Sequence, residues 1–287
     1  MEELKKFPNV YLDGRGRFTH YFVKTKLNKS FFEEKIVSVK GELFKEVDPE
    51  RSKLFASIAK DISQLGLKEN SKILYLGASH GYTVSFLSDV VCNGEIYALD
   101  FAPRVVRDLV FLCEAKSNIA PILDDACHPE NYNKIVPKVD IVFMDIAQKN
   151  QIKIFLDNCD MYLNEGGFGI LALKARSVDV TRNPRDIFKI TRSQLEQVMS
   201  VVDYRELEPF EKDHALFVCK RKSAAKISFD MIKATNLNFA DPEKRRNNDF
   251  KRSGNSDFKS GGRSGGFRSS SSSNSSSSSS YSKRKRY

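Results

Sequence analysis

Polar or small residues follow several short apolar runs in the middle of this chain, at the points where the runs end. Gly77, Asp100, Asp125, Asp145 and Lys174 occupy these positions. An open parallel sheet binds its ligands outside the carboxyl ends of its strands, so residues at those ends are candidates for binding and catalysis. Aspartates and a lysine together provide hydrogen-bond acceptors, a cation and groups that exchange protons.

The turn after the first of these runs has the sequence GASHG at residues 77–81. Its two glycines allow a ligand to approach the backbone closely. Asp100 follows Gly77 by 23 residues, near the offset of about 20 at which an acid accepts hydrogen bonds from a ribose. The turn and the acid together indicate a cofactor that contains a nucleoside.

NAD and S-adenosylmethionine are the two nucleoside cofactors that this pattern suggests. A dinucleotide site requires G-x-G-x-x-G, because the pyrophosphate must approach bare backbone at a helix N-terminus. The spacing here is G-x-x-x-G, which weakens NAD and suits S-adenosylmethionine, a molecule without phosphate. A glycine turn with only a packing role stays open as a third interpretation.

Apolar runs that alternate with helical patterns predict an α/β fold, a mostly parallel sheet covered by helices on both faces. The predicted strands lie at residues 73–76, 96–99, 121–123, 139–144 and 168–173, and helices are expected from about Tyr82, Pro103 and Ile152. The runs at 204–207 and 215–219 are joined by a link too short for a helical crossover, so the last strand should be antiparallel.

The regions outside this pattern predict three further parts. Residues 1–50 should form a small N-terminal β domain, with strands at 10–12, 21–24 and 35–39, and the α/β domain should span 51–222. A helix from about Pro49 should carry Leu54, Phe55, Ile58 and Ile62 on one face. Residues 223–240 should either dock as a helix or stay loose. Residues 241–287 should be a disordered tail, because they lack the apolar area to offset ordering entropy.

Charge is distributed unevenly along the chain. There are 47 Lys and Arg against 37 Asp and Glu, and residues 241–287 hold 12 of the former and four of the latter. This basic tail predicts an anionic partner, most simply nucleic acid. No apolar run approaches the roughly 18 residues of a membrane span, so no membrane association is expected. The five cysteines lack C-x-x-C spacing and the four histidines are scattered, so no metal is expected and the thiols should be reduced.

Several motifs resemble those of the fibrillarin family, in the same order over about residues 8–221. They are RSKL at 51–54, YLGA at 75–78 with Thr83 and Val84, SDVV at 88–91, DIAQ at 145–148, NEGG at 164–167 and LEPFEKDHA at 207–215. The resemblance implies a Rossmann-like class I methyltransferase sheet after a small β domain. It also implies guide-RNA-dependent ribose 2′-O-methylation with S-adenosylmethionine.

The resemblance also implies a site, residue by residue. Its catalytic set is Lys53, Asp145, Lys174 and His214. In this interpretation Lys174 orients or deprotonates the ribose hydroxyl, and Asp145 orients Lys174 and the methyl donor. Lys53 holds the target, and His214 orients the nucleophile or relays its proton. The implied cofactor contacts are Gly77, Tyr82, Thr83, Asp100, Phe101, Asp125, Ala126, Asp145, Ile146, Ala147 and Gln148.

Partners and location follow from the same resemblance. It implies a box C/D guide RNA, a target rRNA, a Nop-family scaffold protein and a kink-turn-binding protein. The RGG-like patch at 261–268 and the basic cluster at 283–286 suggest the nucleus and nucleolus.

The chain departs from the family pattern with HGYT at 80–83 in place of SGTT, VDP at 47–49 in place of WNP, and Asp100 in place of Glu. The altered loop leaves a non-catalytic RNA-associated scaffold open as an alternative. An NAD-linked oxidoreductase, weakened by the glycine spacing, is the other.

Overall fold

A five-stranded antiparallel sheet opens the chain in the computed structural model, which describes residues 1–14, 16–222 and 226–233. Its strands are β1 (Glu2–Glu3), β2 (Val10–Asp13), β3 (His20–Thr25), β4 (Ile36–Val39) and β5 (Glu42–Val47), in the order β1-β2-β3-β5-β4. Strands β2, β3 and β4 correspond to predicted runs, whereas β1 and β5 were not predicted. Lys40 and Gly41, with φ of 54° and 83°, form the two-residue turn that pairs β5 with β4.

The first predicted helix is divided in two. Pro49–Arg51 form a 3-10 turn, and α1 (Lys53–Ala59) begins after Ser52. Ser52 is extended, with a φ of −147°, and its side chain accepts a hydrogen bond from the Phe55 N–H, so it caps α1. Ile62 lies beyond the end of α1, which corrects the prediction, although it is fully buried.

A seven-stranded sheet forms the larger part of the fold. Its strands are β6 (Lys72–Leu76), β7 (Glu95–Asp100), β8 (Ile119–Leu123), β9 (Val139–Met144), β10 (Leu163–Lys174), β11 (Ser200–Glu206) and β12 (His214–Lys220). Their order is β11-β12-β10-β9-β6-β7-β8, and over the described residues each pair is parallel except the two that β12 makes. The predicted fold class, including the antiparallel last strand, is confirmed.

Five helices follow α1 in the described part of the chain. They are α2 (Tyr82–Val90), α3 (Pro103–Ala115), α4 (Gln151–Tyr162), α5 (Ala175–Val178) and α6 (Pro184–Val198). Helix α6 was not predicted, although Asn183 and Pro184 are a cap and a first helical residue of the favoured types. No described helix has both the length and the apolarity to cross a membrane.

The segment after β12 docks against the body as a single 3-10 turn, Phe229–Met231, rather than as a helix. Ile227 is 3 % exposed, and its N–H donates to Asp160 Oδ1 at 2.8 Å. The other parts of the predicted extension, and the whole predicted tail at 241–287, lie outside the described residues. The proposed boundaries between domains stay predictions.

One apolar core connects the two sheets through α2. It includes Val10 and Val23 of the N-terminal sheet, Ile73 and Ala98 of the large sheet, and Phe86 of α2. Helix α2 therefore has a buried face toward each sheet, and its first turn directly follows the glycine turn at residues 77–81.

Four charged side chains are buried at the same junction, and we call them the interface cluster: Glu34, Lys45, Asp89 and Lys116. Lys45 on β5 is 1 % exposed. Its Nζ lies 2.9 Å from Asp89 Oδ2 and 3.7 Å from Glu34 Oε1, and it donates to Ser85 Oγ at 3.0 Å. Lys116 Nζ lies 2.6 Å from Asp89 Oδ1. Each buried charge thus has an opposite partner, as burial requires.

Candidate active site

The carboxyl ends of five parallel strands meet at one edge of the large sheet. Gly77 and Asp145 follow the central strands β6 and β9, Asp100 ends β7 and Lys174 ends β10. Chain order reverses between β6 and β9, which is where open sheets bind ligands. There the backbones are so close that a Cβ on Gly77 would lie 2.3 Å from the Asp145 carbonyl oxygen. The prediction that these residues share one edge is confirmed.

The glycine turn is supported by Asp100. Gly77, Ser79 and Gly81 have φ of 85°, 50° and 91°. Asp100 Oδ2 accepts a hydrogen bond from the Ser79 N–H at 2.8 Å, and Oδ1 accepts one from the Ala102 N–H at 3.0 Å. An ionised carboxylate has about four lone-pair sites. Both oxygens therefore retain capacity for ribose hydroxyls while they hold the turn.

An exposed aromatic ring and a second acid lie in the adjacent loops. Phe101 is 68 % exposed, which is a large exposure for an apolar ring. Asp125 lies in the loop after β8 and accepts a hydrogen bond from the Cys127 N–H at 2.9 Å, and Ala126 beside it is buried. Strands β7 and β8 are neighbours, so these loops are adjacent. They offer an apolar surface and acceptors, which a nucleoside requires.

The loop after β9 completes this edge. Ile146 packs so closely that its Cγ2 would lie 2.7 Å from a Cβ on Gly77. Ala147 and Gln148 are exposed. Ile146 is therefore positioned beside the glycine turn, and the cofactor contacts of Ala147 and Gln148 stay predictions.

Tyr82 and Thr83 are bonded to the segment that joins the two sheets. The Tyr82 hydroxyl accepts a hydrogen bond from the Asp48 N–H at 3.2 Å, and the Arg51 guanidinium lies 4.2 Å from the centre of its ring. Thr83 Oγ1 donates to Ser52 Oγ at 3.0 Å. These two side chains thus fasten α2 to residues 48–52, and their contact with a cofactor stays a prediction.

Lys53, Asp145 and His214 of the implied catalytic set lie close together, and a further acid, Glu211, lies between Lys53 and His214. Lys53 Nζ lies 3.1 Å from Asp145 Oδ2 and 3.7 Å from Glu211 Oε1. Glu211 Oε2 lies 3.7 Å from His214 Nδ1. Lys174 is exposed and lies opposite His214 in the β10–β12 ladder. All four residues therefore lie at the same edge.

The partner of Asp145 differs from the prediction. Asp145 was expected to orient Lys174, whereas its carboxylate forms an ion pair with Lys53. The reason is the position of α1, whose first residue, Lys53, reaches over the end of β9. Glu211 was not predicted, although it lies three residues before His214 inside the LEPFEKDHA motif at 207–215. Its charge type and spacing were the signal that could have identified it.

The surroundings at this edge shift the pKa values of Lys53 and His214 in opposite directions. Burial alone would lower the pKa of Lys53, but the carboxylates of Asp145 and Glu211 outweigh it and raise that pKa. Burial and the charge of Lys53 lower the pKa of His214, against the Lys212 carbonyl and Glu211. Because His214 Nδ1 lies 2.7 Å from the Lys212 carbonyl oxygen, a neutral ring carries its proton there and leaves Nε2 as an acceptor.

Stability should fall as the pH drops below about 6.5, the ordinary pKa of histidine, because the pKa of His214 is lowered by folding. In that range the unfolded chain binds more protons at this position than the folded chain, so stability present at higher pH is lost. We expect the difference in unfolding free energy between wild type and His214→Gln to shrink as the pH falls. Urea unfolding between pH of about 8 and about 5 measures it.

The control for this titration is His128→Gln, because the side chain of His128 is 61 % exposed. The His128→Gln series shows how much of the change comes from the loss of an exposed histidine outside the site. A difference between wild type and His214→Gln that stays constant across the range would contradict the lowered pKa.

Two other histidines, His80 and His20, pair with carboxylates away from the catalytic set. His80 Nδ1 is 3.0 Å from Asp108 Oδ2, and His20 Nδ1 is 2.7 Å from Glu46 Oε1. The described residues contain no group of three or more His, Cys, Asp or Glu that could hold a metal ion.

Comparison with known proteins identifies one family to which this chain is similar. The family model named Fibrillarin matches residues 1–223. A fibrillarin-like rRNA/tRNA 2′-O-methyltransferase of Methanococcus voltae is 45% identical over 217 residues, which are 75% of this chain and 95% of the relative. The similarity therefore extends over both sheets and the edge described above.

Two solved structures of that family are also similar. The fibrillarin of Aeropyrum pernix, in complex with natively bound S-adenosyl-L-methionine, is 35% identical with a TM-score of 0.69, and the match covers 76% of this chain and 96% of that one. A chain of a fibrillarin/Nop5p complex is 38% identical with a TM-score of 0.68, covering 74% of this chain and 97% of that one.

Proposed function

This chain belongs to the fibrillarin family, and from that premise we propose that it methylates ribose 2′-hydroxyls of rRNA with S-adenosylmethionine, directed by a box C/D guide RNA. The observation that carries the proposal is the convergence of Lys53, Asp145 and His214 at the edge where Lys174 ends β10. The name of the Methanococcus voltae relative and the bound S-adenosylmethionine of the Aeropyrum pernix fibrillarin support the reaction and its methyl donor.

The residues beside the glycine turn fit such a cofactor. Asp100 is 9 % exposed, and its carboxylate faces the turn at residues 77–81. Phe101 offers an exposed ring next to it. Asp100 would hold the ribose of the cofactor and Phe101 its adenine, with Asp125 as a further acceptor. S-adenosylmethionine, when bound there, supplies a methyl group on a positively charged sulfur.

The chain's own residues then prepare the ribose of the target. A hydroxyl is a weak nucleophile until its proton is withdrawn, and Lys174 orients that hydroxyl and either accepts the proton or stabilises the resulting oxyanion. Lys53, kept charged by Asp145 and Glu211, contacts the ribose or phosphate of the target. His214 relays the proton through Nε2. Positioning of the two reactants accounts for most of the acceleration.

The proposed partners are a box C/D guide RNA, a Nop-family scaffold protein and a kink-turn-binding protein. The complex that a similar fibrillarin forms with Nop5p supports the scaffold. A guide RNA would supply target choice, because residues 1–240 carry 35 Lys and Arg against 33 Asp and Glu and so little net charge for binding RNA. The basic cluster at 283–286 supports a nuclear and nucleolar location.

The test of this function is a methylation assay with the assembled complex. The full chain, the scaffold and kink-turn proteins, a guide RNA and a complementary target are incubated with S-adenosylmethionine labelled in its methyl group. We expect label at one ribose, at the position that the guide selects. Label that is absent, or that does not move when the guide sequence is changed, would contradict the proposal.

A non-catalytic scaffold is a second candidate, favoured by the engagement of Tyr82 and Thr83 with residues 48–52. If these bonds keep the glycine turn closed, the chain would bind no methyl donor. Calorimetry separates the two candidates: binding of S-adenosylmethionine supports the enzyme, and no binding up to millimolar concentration supports the scaffold. Protection against thermal unfolding by NAD in place of S-adenosylmethionine would support an oxidoreductase.

Deletion of residues 241–287 should weaken nonspecific RNA binding and leave methyl transfer largely intact. The deletion removes 12 Lys and Arg and four Asp and Glu, and contacts between cations and phosphates weaken steeply with salt. RNA affinity of both proteins, measured over a series of salt concentrations, should give a shallower dependence for the truncated chain. Equal affinity at low salt would contradict an RNA-binding tail.

A further inference from the structure

The end of β10 extends past its parallel neighbour. The last register pair between β10 and β9 is Leu171 with Met144. The register with β9 therefore ends three residues before Lys174, although β12 accompanies β10 on the other side as far as the pair of Lys174 and His214. Buried backbone N–H and C=O groups require partners. The end of β10 thus needs another source of hydrogen bonds on its β9 side.

Gln151 supplies both of these bonds to Lys174. Its Oε1 accepts a hydrogen bond from the Lys174 N–H at 3.2 Å, and its Nε2 donates to the Lys174 carbonyl oxygen at 3.3 Å. Gln151 is the first residue of α4 and is fully buried. A primary amide carries an acceptor and a donor side by side, which is what a backbone N–H and C=O of one residue require.

We propose that Gln151 is a positioning residue that holds the backbone of Lys174 at the reacting edge. The proposal rests on the proposed function, because it takes Lys174 as the residue that acts on the ribose hydroxyl. Gln151 is separate from the residues implied by the family resemblance, and it acts through Lys174 without contacting the substrate.

The structure gives a reason why this position needs a fixed backbone. The Lys174 side chain is exposed, so it is the backbone that limits where the Nζ atom can reach. On the β12 side the strand end is held by its pairing with His214 and by the bond from the Ala175 N–H to the Asp213 carbonyl oxygen at 3.0 Å. Without Gln151 the strand end is held on one side only, and small misplacements at a reacting edge cost large factors in rate.

The test uses two variants of the full chain in the assembled guide-RNA complex. Gln151→Leu removes both bonds, and we expect kcat to fall by about tenfold to 100-fold, with the KM for S-adenosylmethionine changed by less than about threefold. Gln151→Glu keeps an acceptor but loses the donor when ionised. Protonation restores a donor, so we expect its kcat relative to wild type to rise as the pH falls, whereas the ratio for Gln151→Leu stays flat.

The catalytic groups are present in both proteins, so the pH dependence that the two proteins share cancels in the ratio to wild type. Gln194→Glu is the matched control, because Gln194 is a buried glutamine on α6. We expect its ratio to wild type to be independent of pH, even if its stability falls.

Amide hydrogen exchange tests the contact without any activity. In the full chain carrying Gln151→Leu, the Lys174 amide should exchange at least about tenfold faster than in wild type, because its hydrogen bond is lost. The proposal would be overturned if the Lys174 amide of Gln151→Leu exchanged at the wild-type rate. It would also be overturned if that amide exchanged faster while kcat kept the wild-type value. A wild-type complex that transfers no methyl group, together with the expected exchange, would contradict the proposed function and leave the Gln151 contact established.

Discussion

Replacing Lys174 by methionine is expected to lower kcat for methyl transfer by about 10²–10⁴-fold, the range for loss of a residue that exchanges protons with the reacting group. Methionine keeps much of the length of the side chain but neither accepts a proton nor stabilises an oxyanion. Lys174 is exposed at the end of β10, so the fold and the affinity for S-adenosylmethionine should change little. Single-turnover methylation and calorimetry measure the two quantities separately.

A second substitution identifies which role Lys174 has. Arginine keeps the charge but does not deprotonate in proteins. Activity retained in Lys174→Arg would indicate stabilisation of the oxyanion, and activity lost in both variants would indicate transfer of the proton. Lys189→Met, at an exposed position on α6, is the control and should behave as wild type. Lys174→Met with full activity would remove this residue from the mechanism.

Replacing Lys45 by methionine is expected to destabilise the fold by about 3–5 kcal/mol, the range for removing one partner of a buried ion pair. The side chains of Lys45 and Glu34 are each 2 % exposed and that of Asp89 is 9 % exposed. Without the ammonium group two carboxylates would face one another at the junction of the sheets, with Lys116 as their remaining cation. For a chain of this size Tm should fall by roughly 10 °C.

Chemical unfolding in urea measures this loss, with Lys72→Met as the control. Lys72 Nζ lies 3.1 Å from Glu95 Oε2, but the two side chains are 45% and 50% exposed. Water solvates this pair in either state, so its removal should leave stability almost unchanged. A loss for Lys45→Met as small as that for Lys72→Met would show that the interface cluster does not stabilise the junction.

The interface cluster also connects stability to the site. Asp89 lies near the end of α2, and the same helix begins at Tyr82, directly after the glycine turn. If loss of the Lys45 ion pairs shifts α2, the shift should therefore also move residues 77–81, because a helix moves as a rigid element. We expect affinity for S-adenosylmethionine to fall in Lys45→Met together with Tm, and to stay unchanged in Lys72→Met.

Local patterns were sufficient to predict much of the large sheet. Runs such as residues 139–144 are apolar and end at a polar residue, and central parallel strands, buried on both faces, require this pattern. The same reasoning missed β5, because its sequence contains Lys45 and two glutamates. It also extended the first helix through Ser52, whose effect as a cap depends on an extended backbone rather than on residue type alone.

The sequence by itself determined which residues end the strands, the parallel topology that places Gly77, Asp100, Asp145 and Lys174 at one edge, and the family motifs around them. Short-range periodicity and chain connectivity were enough for this. Only the tertiary structure decided which charges pair: Asp145 with Lys53, Lys45 with Asp89. It alone revealed the support of Lys174 by Gln151. Such pairings join side chains from separate elements, and their geometry depends on how helices pack onto the sheets, which local sequence does not encode.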